Sequence, residues 1–224
     1  MLNLFVTFDE DGVAALTTAG NILFIVIGIL ALLAVSFFTG KNRKFHPKTL
    51  VFSAVAIAIA FVLSYVKLFR MPWGGSVTLL SMLFVTLVGF WYGPAVGFTA
   101  AFTYGMLQFV QGGGGYILSP LQVCLDYVFA FTALGASGFF RKGKYSLQIG
   151  YTVAVLLRGL LHAIGGYLYW MEYMPENFPA SLAAAYPILY NYAYILAEAV
   201  ITLIIISLPP VKNSLRRVGE MARG

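Results

Sequence analysis

The segment PLQVCLDYVFAFTALGASGFF, residues 120–140, decides the fold. It is apolar and long enough to cross a bilayer as a helix, yet it carries one charged side chain, Asp126. A carboxylate at that depth costs about 2.5 kcal/mol or more on insertion scales, so a chain that retains one usually has a use for it. The segment therefore predicts a membrane protein with an interior polar site.

The composition of the whole chain supports this interpretation. Of 224 residues, 60% are hydrophobic and only 10% are charged, whereas soluble domains contain about 25% charged residues. The net charge of +6 does not indicate nucleic-acid binding, because the basic residues lie in short connections between apolar runs, as membrane topology requires. We expect an all-α integral membrane protein, multi-pass in the cell membrane.

Several classes of function are not expected. The single Cys124 allows no disulfide framework, and neither a metal-ligand cluster nor a bound cofactor is expected. No Ser or Cys nucleophile stands beside a base, and no Walker motif is present, so the chain itself should not use ATP. We therefore expect no catalytic residues and no enzymatic activity.

Seven apolar segments are long enough to span a bilayer. They lie at about 16–38, 49–66, 76–92, 94–111, 119–140, 147–170 and 182–208. Tyr92-Gly93-Pro94 predicts a tight helical hairpin, and Pro209-Pro210 predicts the end of the last span. Strands are not expected, because the apolar runs are long rather than alternating.

The basic residues set the orientation of these spans. Eleven of the 14 fall on one side of seven alternating helices: Lys41, Arg43, Lys44, Lys48, Arg141, Lys142, Lys144, Lys212, Arg216, Arg217 and Arg223. By the positive-inside rule the N-terminus is outside and the C-terminus is cytoplasmic.

This orientation brings polar groups from three spans to one depth. At 1.5 Å per residue, Asp126 lies within about two helical turns of the outer surface, and His162 lies roughly 22 Å from the cytoplasmic end of its helix. The other members of this level are Trp170, Tyr186 and Asn191, with Tyr116 in the adjoining outer loop. An acidic group among aromatic rings and amides suits a flat, cationic, hydrogen-bonding ligand.

Each of these residues also has a structural interpretation. Asp126 could instead pair helices by facing Arg158. His162 could be a satisfied interior histidine, and Trp170 could belong to an aromatic belt at the membrane surface. The belt interpretation is favoured for Tyr167, Tyr169 and Tyr173.

Deeper in the membrane, Arg158 and Glu198 both lie roughly 14–17 Å from the cytoplasmic ends of their helices. An unpaired charge at that depth is costly, so we predict a structural ion pair between them. A separate pattern occurs on the helix at 49–66, where small residues recur at Ala54/Ala58 and Ala56/Ala60. Such spacing allows close approach of another helix, either within the bundle or from a separate membrane partner.

At these residues the chain resembles the thiamine-specific substrate-binding (S) components of energy-coupling factor (ECF) transporters. The resemblance covers about 160 residues, from Lys48 to Pro210. It rests on Tyr116-Ile117-Leu118-Ser119-Pro120-Leu121-Gln122, on Leu125-Asp126-Tyr127, on His162, Gly166 and Trp170, and on Tyr186 and Asn191.

The resemblance implies a six-helix module at 46–210 that captures thiamine in an outward-facing site. Residues 1–45 would add an extra transmembrane helix, and 211–224 would form a basic cytoplasmic tail. The implied ligand contacts are Asp126, Tyr127, His162, Gly166, Trp170, Tyr186 and Asn191, with Tyr116 and Trp73 from outer loops. Ala54 and Ala58 would dock a transmembrane coupling subunit, and two ATPase subunits would complete the transporter.

Two other functions fit the same residues. The chain could bind a related cationic heterocycle or a thiamine precursor. It could also be a stand-alone, ion-coupled secondary transporter that uses Asp126, His162 or the Arg158–Glu198 pair as a proton relay.

Overall fold

The computed structural model describes residues 46–72, 74–112 and 117–224, together with 4–8, 14–17 and the isolated positions 19, 22, 23, 26 and 30. Most of the predicted span at 16–38 lies outside the described residues. Trp73, Tyr116 and the basic residues at 41–44 lie outside them as well.

Helices account for most of the described chain. In order they are α1 (Pro47–Ser64), α2 (Ser81–Tyr92), α3 (Pro94–Gln111), α4, α5 (Ser146–Tyr169), α6 (Tyr186–Ser207) and α7 (Pro209–Arg223). The helix α4 is composite: an α-helical start at Pro120–Val123, a π-helical turn at Cys124–Phe129, a short α-helical stretch at Ala130–Thr132 and a 3₁₀ end at Ala133–Phe139. A 3₁₀ turn, Ala180–Ala185, leads into α6.

Four helical segments in the described part of the chain are long and apolar enough to cross a membrane. They are Pro47–Ser64, Leu121–Phe139, Ser146–Tyr169 and Ala180–Ser207, and Ser81–Tyr92 is a shorter apolar helix. A helical membrane architecture is thus confirmed, although fewer segments meet this criterion than the seven predicted from apolar runs.

Proline and glycine set the helix boundaries where the sequence indicated. Between α2 and α3, Gly93 has a φ angle of 95°, a conformation that residues with a side chain rarely adopt. Pro94 occupies the first turn of α3. The predicted tight hairpin is therefore confirmed. Likewise α6 ends at Ser207, and after the single residue Leu208, Pro209 begins α7.

The prediction that strands are absent is wrong. Lys67–Arg70 (β3) pairs antiparallel with Ser76–Thr78 (β4), and Val6–Phe8 (β1) pairs with Ala14–Leu16 (β2). Positive φ angles at Gly74 and Gly75 turn the β3–β4 hairpin. Because β4 occupies residues that we expected to be helical, α2 begins at Ser81 rather than at 76.

The tightest packing joins α2, α3 and the 3₁₀ end of α4 through glycines. A Cβ atom on Gly135 would lie 2.5 Å from the backbone nitrogen of Phe98, and one on Gly97 would lie 2.6 Å from the Cα atom of Gly89. Small residues allow helix backbones to approach this closely inside a membrane. The glycines therefore fix how the middle of the bundle assembles.

The two alanine pairs of α1 face opposite ways. Ala56 and Ala60 are 3% and 0% exposed and pack into the core, whereas Ala54 and Ala58 are exposed. Internal packing thus accounts for Ala56/Ala60 only. The Ala54/Ala58 face is open on the surface of the described chain.

The expected C-terminal tail is folded as α7. Gly219 and Ala222 are buried, and the Tyr92 hydroxyl donates a hydrogen bond of 3.0 Å to the carbonyl of Ala222. The basic side chains on the other faces, such as Lys212 and Arg216, are exposed. The tail is therefore an amphipathic helix that packs against α2.

Candidate ligand-binding cavity

A cavity of about 250 Å³ lies among α3, α4, α5, α6 and the β3–β4 hairpin. Seven of the nine residues predicted as ligand contacts line it: Asp126, Tyr127, His162, Gly166, Trp170, Tyr186 and Asn191. The remaining two, Trp73 and Tyr116, are outside the described residues. Helices distant in sequence thus bring one predicted set of side chains together, and their role in binding stays a prediction.

Asp126 lies on the π-helical turn of α4 and points into this cavity. Its Oδ2 atom accepts hydrogen bonds from Gln122 Nε2 at 2.7 Å and from Trp170 Nε1 at 3.2 Å. Its Oδ1 atom lies 3.4 Å from His162 Nδ1. π-Helical turns occur frequently at functional sites because they rotate side chains off the regular helical face. Three side chains therefore orient a carboxylate whose remaining surface faces the cavity.

His162 is not a fully satisfied interior histidine. Its Nδ1 atom faces Asp126, while its Nε2 atom is buried and has no hydrogen-bond partner among the described residues. The ring also makes edge contacts with Phe131 and Tyr194, at centroid distances of 6.3 and 6.4 Å. A buried ring nitrogen without a partner is costly, which favours a ligand or a water molecule as its missing partner.

Asn191 and Gly166 hold α5 and α6 together beside the cavity. Asn191 Nδ2 donates to the carbonyls of Pro187 at 2.9 Å and His162 at 3.3 Å, and Asn191 Oδ1 accepts from the Tyr194 hydroxyl at 3.1 Å. A Cβ atom on Gly166 would lie 2.8 Å from Pro187 Cβ. The Asn191 side chain therefore already has protein partners, so a ligand would have to share or displace them.

Tyrosines of α6 form one wall of the cavity. Tyr186, Tyr190 and Tyr194 recur every four residues and all line it, with ring centroids 5.6 and 6.4 Å apart. Tyr190 and Tyr194 were not among the predicted site residues, although their four-residue spacing places them on the same helical face as Tyr186. Tyr173, expected in a surface belt, also lines the cavity and contacts the Trp170 ring at 5.2 Å.

The β3–β4 hairpin covers this wall. The Tyr190 hydroxyl donates to the carbonyl of Gly74 at 3.0 Å, and a Cβ atom on Gly75 would lie 2.6 Å from the Tyr194 ring. The hairpin turn thus rests directly on α6. No apolar pattern in the sequence indicated this contact, because both partners in the turn are glycines.

The predicted ion pair between Arg158 and Glu198 is wrong. Glu198 is 2% exposed, and its carboxylate accepts from Thr78 N at 2.9 Å, Thr78 Oγ1 at 2.6 Å and Met82 N at 3.2 Å. The Arg158 guanidinium instead lies over the Phe131 ring, 4.3 Å from its centroid. Among the described residues, no ion pair joins Arg158 to Glu198 or to Asp126. The end of β4 and the start of α2 each supply a backbone donor to Glu198, and no pattern in the sequence indicated these contacts.

This arrangement predicts unequal effects of two substitutions. Glu198→Gln replaces an acceptor with an NH₂ group that faces N–H and O–H donors, and should cost about 2–3 kcal/mol of stability. Arg158→Met keeps the side-chain volume over Phe131 and should cost less. Thermal unfolding of the detergent-purified variants measures both. Equal losses, with the double variant no worse than either single one, would instead indicate an ion pair.

A second group of polar side chains lines the same cavity. Gln108 Nε2 donates to Ser64 Oγ at 3.0 Å and to Gln111 Oε1 at 2.6 Å, which joins α1 to α3. All three residues line the cavity, and none was predicted. Their amides and hydroxyl add uncharged polar groups to the lining of the cavity, apart from the donors to Asp126.

The fold and the cavity together define a class, that of helical membrane proteins with an interior cavity lined by polar and aromatic side chains. Residues 50–216 match the family model described as thiamine transporter protein (Thia_YuaJ). The chain belongs to this family of transporters and is therefore not an enzyme.

Individual relatives agree with this assignment. The thiamine transporter ThiT of Bacillus subtilis (strain 168) is 30% identical over 182 residues, which is 75% of this chain and 92% of that protein. The thiamine transporter ThiT of Lacticaseibacillus paracasei is 30% identical over 122 residues, 48% of this chain and 59% of that protein. A solved structure of ThiT from Listeria monocytogenes matches with a TM-score of 0.63 at 24% identity, covering 78% of this chain and 96% of that one. This last likeness concerns the fold.

Proposed function

We propose that this chain is the thiamine-binding S component of an ATP-driven ECF transporter. One observation carries the proposal: in a member of the thiamine transporter family, the Asp126 carboxylate lines the same cavity as His162 and Trp170. A thiazolium ring carries a permanent positive charge, which a carboxylate neutralises and aromatic faces attract. Relatives named as thiamine transporters support the ligand assignment.

In this proposal α1–α6 form the six-helix binding module at 46–210. The N-terminus is outside and the C-terminus cytoplasmic, so the cavity opens outward and the basic helix α7 lies on the cytoplasmic side. Residues 1–45 add a further transmembrane helix. Trp73, next to the β3–β4 turn, and Tyr116, before α4, are the loop residues proposed to close over bound thiamine.

The proposed partners are a transmembrane coupling subunit and two ATPase subunits. Ala54 and Ala58 are exposed on α1, so their small side chains would allow a partner helix to approach closely. This chain would need no cofactor of its own, because the ATPase subunits would hydrolyse ATP. Ligand capture and energy use would then reside in different chains.

Titration of the detergent-purified protein with thiamine tests the ligand assignment. The Trp170 ring lines the cavity, so its emission should be quenched as thiamine binds, with a half-maximal concentration below about 1 μM for a tight site. Trp91 is buried away from the cavity and supplies a matched control. Trp91→Phe should leave the thiamine-dependent change in emission intact, whereas Trp170→Phe should reduce it to the part contributed by Trp73.

Two outcomes would contradict the proposal. Absence of quenching and of calorimetric binding up to about 1 mM thiamine would exclude a specific site for this ligand. Uptake by vesicles that contain this chain alone, driven by a pH gradient without ATP, would show a stand-alone secondary transporter instead.

A further inference from the structure

Gln122 is a buried residue of α4 that is not among the predicted ligand contacts. It is 1% exposed, and its Nε2 atom makes the shortest hydrogen bond to Asp126, 2.7 Å to Oδ2. It also lines the cavity. The spacing of four residues would place the two side chains on one face of a regular helix, and the π-helical turn between them adjusts that register.

The orientation of the Gln122 amide is fixed from its other end. Its Oε1 atom accepts a hydrogen bond of 3.2 Å from the backbone N–H of Leu118, so its NH₂ group must face Asp126. The Ser119 hydroxyl accepts from the backbone N–H of Gln122 at 3.1 Å, which closes the first turn of α4. A reversed amide would place oxygen against the carboxylate and NH₂ against a backbone donor, so only one orientation is stable.

We propose that Gln122 is a positioning residue that holds the Asp126 carboxylate towards the cationic part of the ligand. This inference rests on the proposed thiamine site. Asp126 has a side chain shorter than Glu by one methylene, so the place of its charge depends strongly on the groups that hold it. Through the hydrogen bond to Leu118, the same amide also connects the segment just before α4 to the carboxylate.

The role of Gln122 differs from that of the other two donors to Asp126. Trp170 and His162 present ring surfaces to the cavity and are proposed to contact the ligand directly, so their bonds to Asp126 can change on binding. Gln122 has both ends of its amide committed to the chain. It is thus the donor that can keep the carboxylate in place while the rings rearrange around the ligand.

The test compares thiamine with an uncharged isostere in which carbon replaces the quaternary ring nitrogen. Gln122→Leu should weaken thiamine binding roughly 10- to 100-fold, the effect of losing a hydrogen bond to a charged group. The affinity for the uncharged isostere should change less than about threefold, because this ligand carries no positive charge for the Asp126 carboxylate to pair with. Isothermal titration calorimetry on the purified protein gives both affinities.

Gln108→Leu is the matched control, since it removes another cavity glutamine that bonds to Ser64 and Gln111 rather than to Asp126. It should shift the affinities of the two ligands by similar factors. In an Asp126→Asn background, Gln122→Leu should cause little further loss of thiamine affinity, because the charge that it positions is gone. If the leucine variant does not fold, Gln122→Met replaces it in the same measurements, because methionine has a flexible side chain of similar length.

The outcomes separate the two proposals. Equal losses for thiamine and the isostere, or unchanged thiamine affinity in Gln122→Leu, would overturn the positioning role while leaving the thiamine site intact. A wild-type protein that binds neither ligand would overturn both. Selective loss of thiamine affinity that disappears in the Asp126→Asn background supports the assignment of Gln122.

Discussion

Asp126→Ala is expected to abolish measurable quenching by submicromolar thiamine, with affinity reduced roughly 30-fold or more, since removing one partner of a buried charge pair costs about 2–5 kcal/mol. The cation would enter a cavity without the Asp126 carboxylate, and Glu198, the other acidic side chain that lines it, already accepts hydrogen bonds from Thr78 and Met82. Fluorescence titration and calorimetry measure the loss.

Three variants test the cause of this expected loss. Asp126→Asn keeps an acceptor for Gln122 and Trp170 but removes the charge, and it should bind thiamine nearly as weakly as the alanine variant. Asp126→Glu restores the charge one methylene farther out and should recover part of the affinity. Glu176→Ala removes an exposed acidic residue outside the cavity and should have no effect. Wild-type affinity in Asp126→Ala would show that the carboxylate is not the anchor.

Gly135→Ala is expected to prevent normal folding, with a loss of at least about 3 kcal/mol, at the upper end of overpacking effects. The new methyl group would lie 2.5 Å from the nitrogen and 2.6 Å from the Cα atom of Phe98. Backbone atoms within a helix cannot move aside as a flexible side chain can. Yield of monodisperse protein and its thermal unfolding temperature provide the measurement.

Phe139→Leu is the control for this substitution, because it changes an exposed side chain at the end of the same 3₁₀ segment. It should unfold at nearly the wild-type temperature. A Gly135→Ala variant as stable as Phe139→Leu would mean that α3 and α4 can separate without cost. The close glycine contact would then not determine the packing of the bundle.

The helical part of the fold could be predicted because lipid imposes simple rules on sequence. The lengths of the apolar segments and the positions of helix-breaking residues correctly predicted the α2–α3 hairpin at Gly93 and the end of α6 before Pro209. The β3–β4 hairpin escaped prediction because its strands are three and four residues long, too short for an alternating pattern. The register change inside α4 escaped as well, since no residue type marks a π-helical turn.

The residues that line the cavity could be predicted in part, from their depth in the membrane and from their residue type. Asp126, His162 and Trp170 stand out because polar and charged groups are costly within apolar spans. The predicted Arg158–Glu198 ion pair failed because the depth of a residue in the membrane does not show which way its side chain points around the helix. Glu198 points to the start of α2, while Arg158 points to Phe131. Gln122 was visible in the sequence, but its partners depend on side-chain geometry.

The two faces of α1 have a consequence for how this protein can diversify. The open Ala54/Ala58 face lies about 9 Å or more along the helix from Ser64, the α1 residue that lines the cavity. Substitutions that alter which molecule is recognised can therefore accumulate around the cavity without touching that face. Changes on that face can likewise leave recognition unaltered. In the proposed transporter, where the Ala54/Ala58 face docks the coupling subunit, natural selection can act on cargo and on assembly as two separate traits of one short chain.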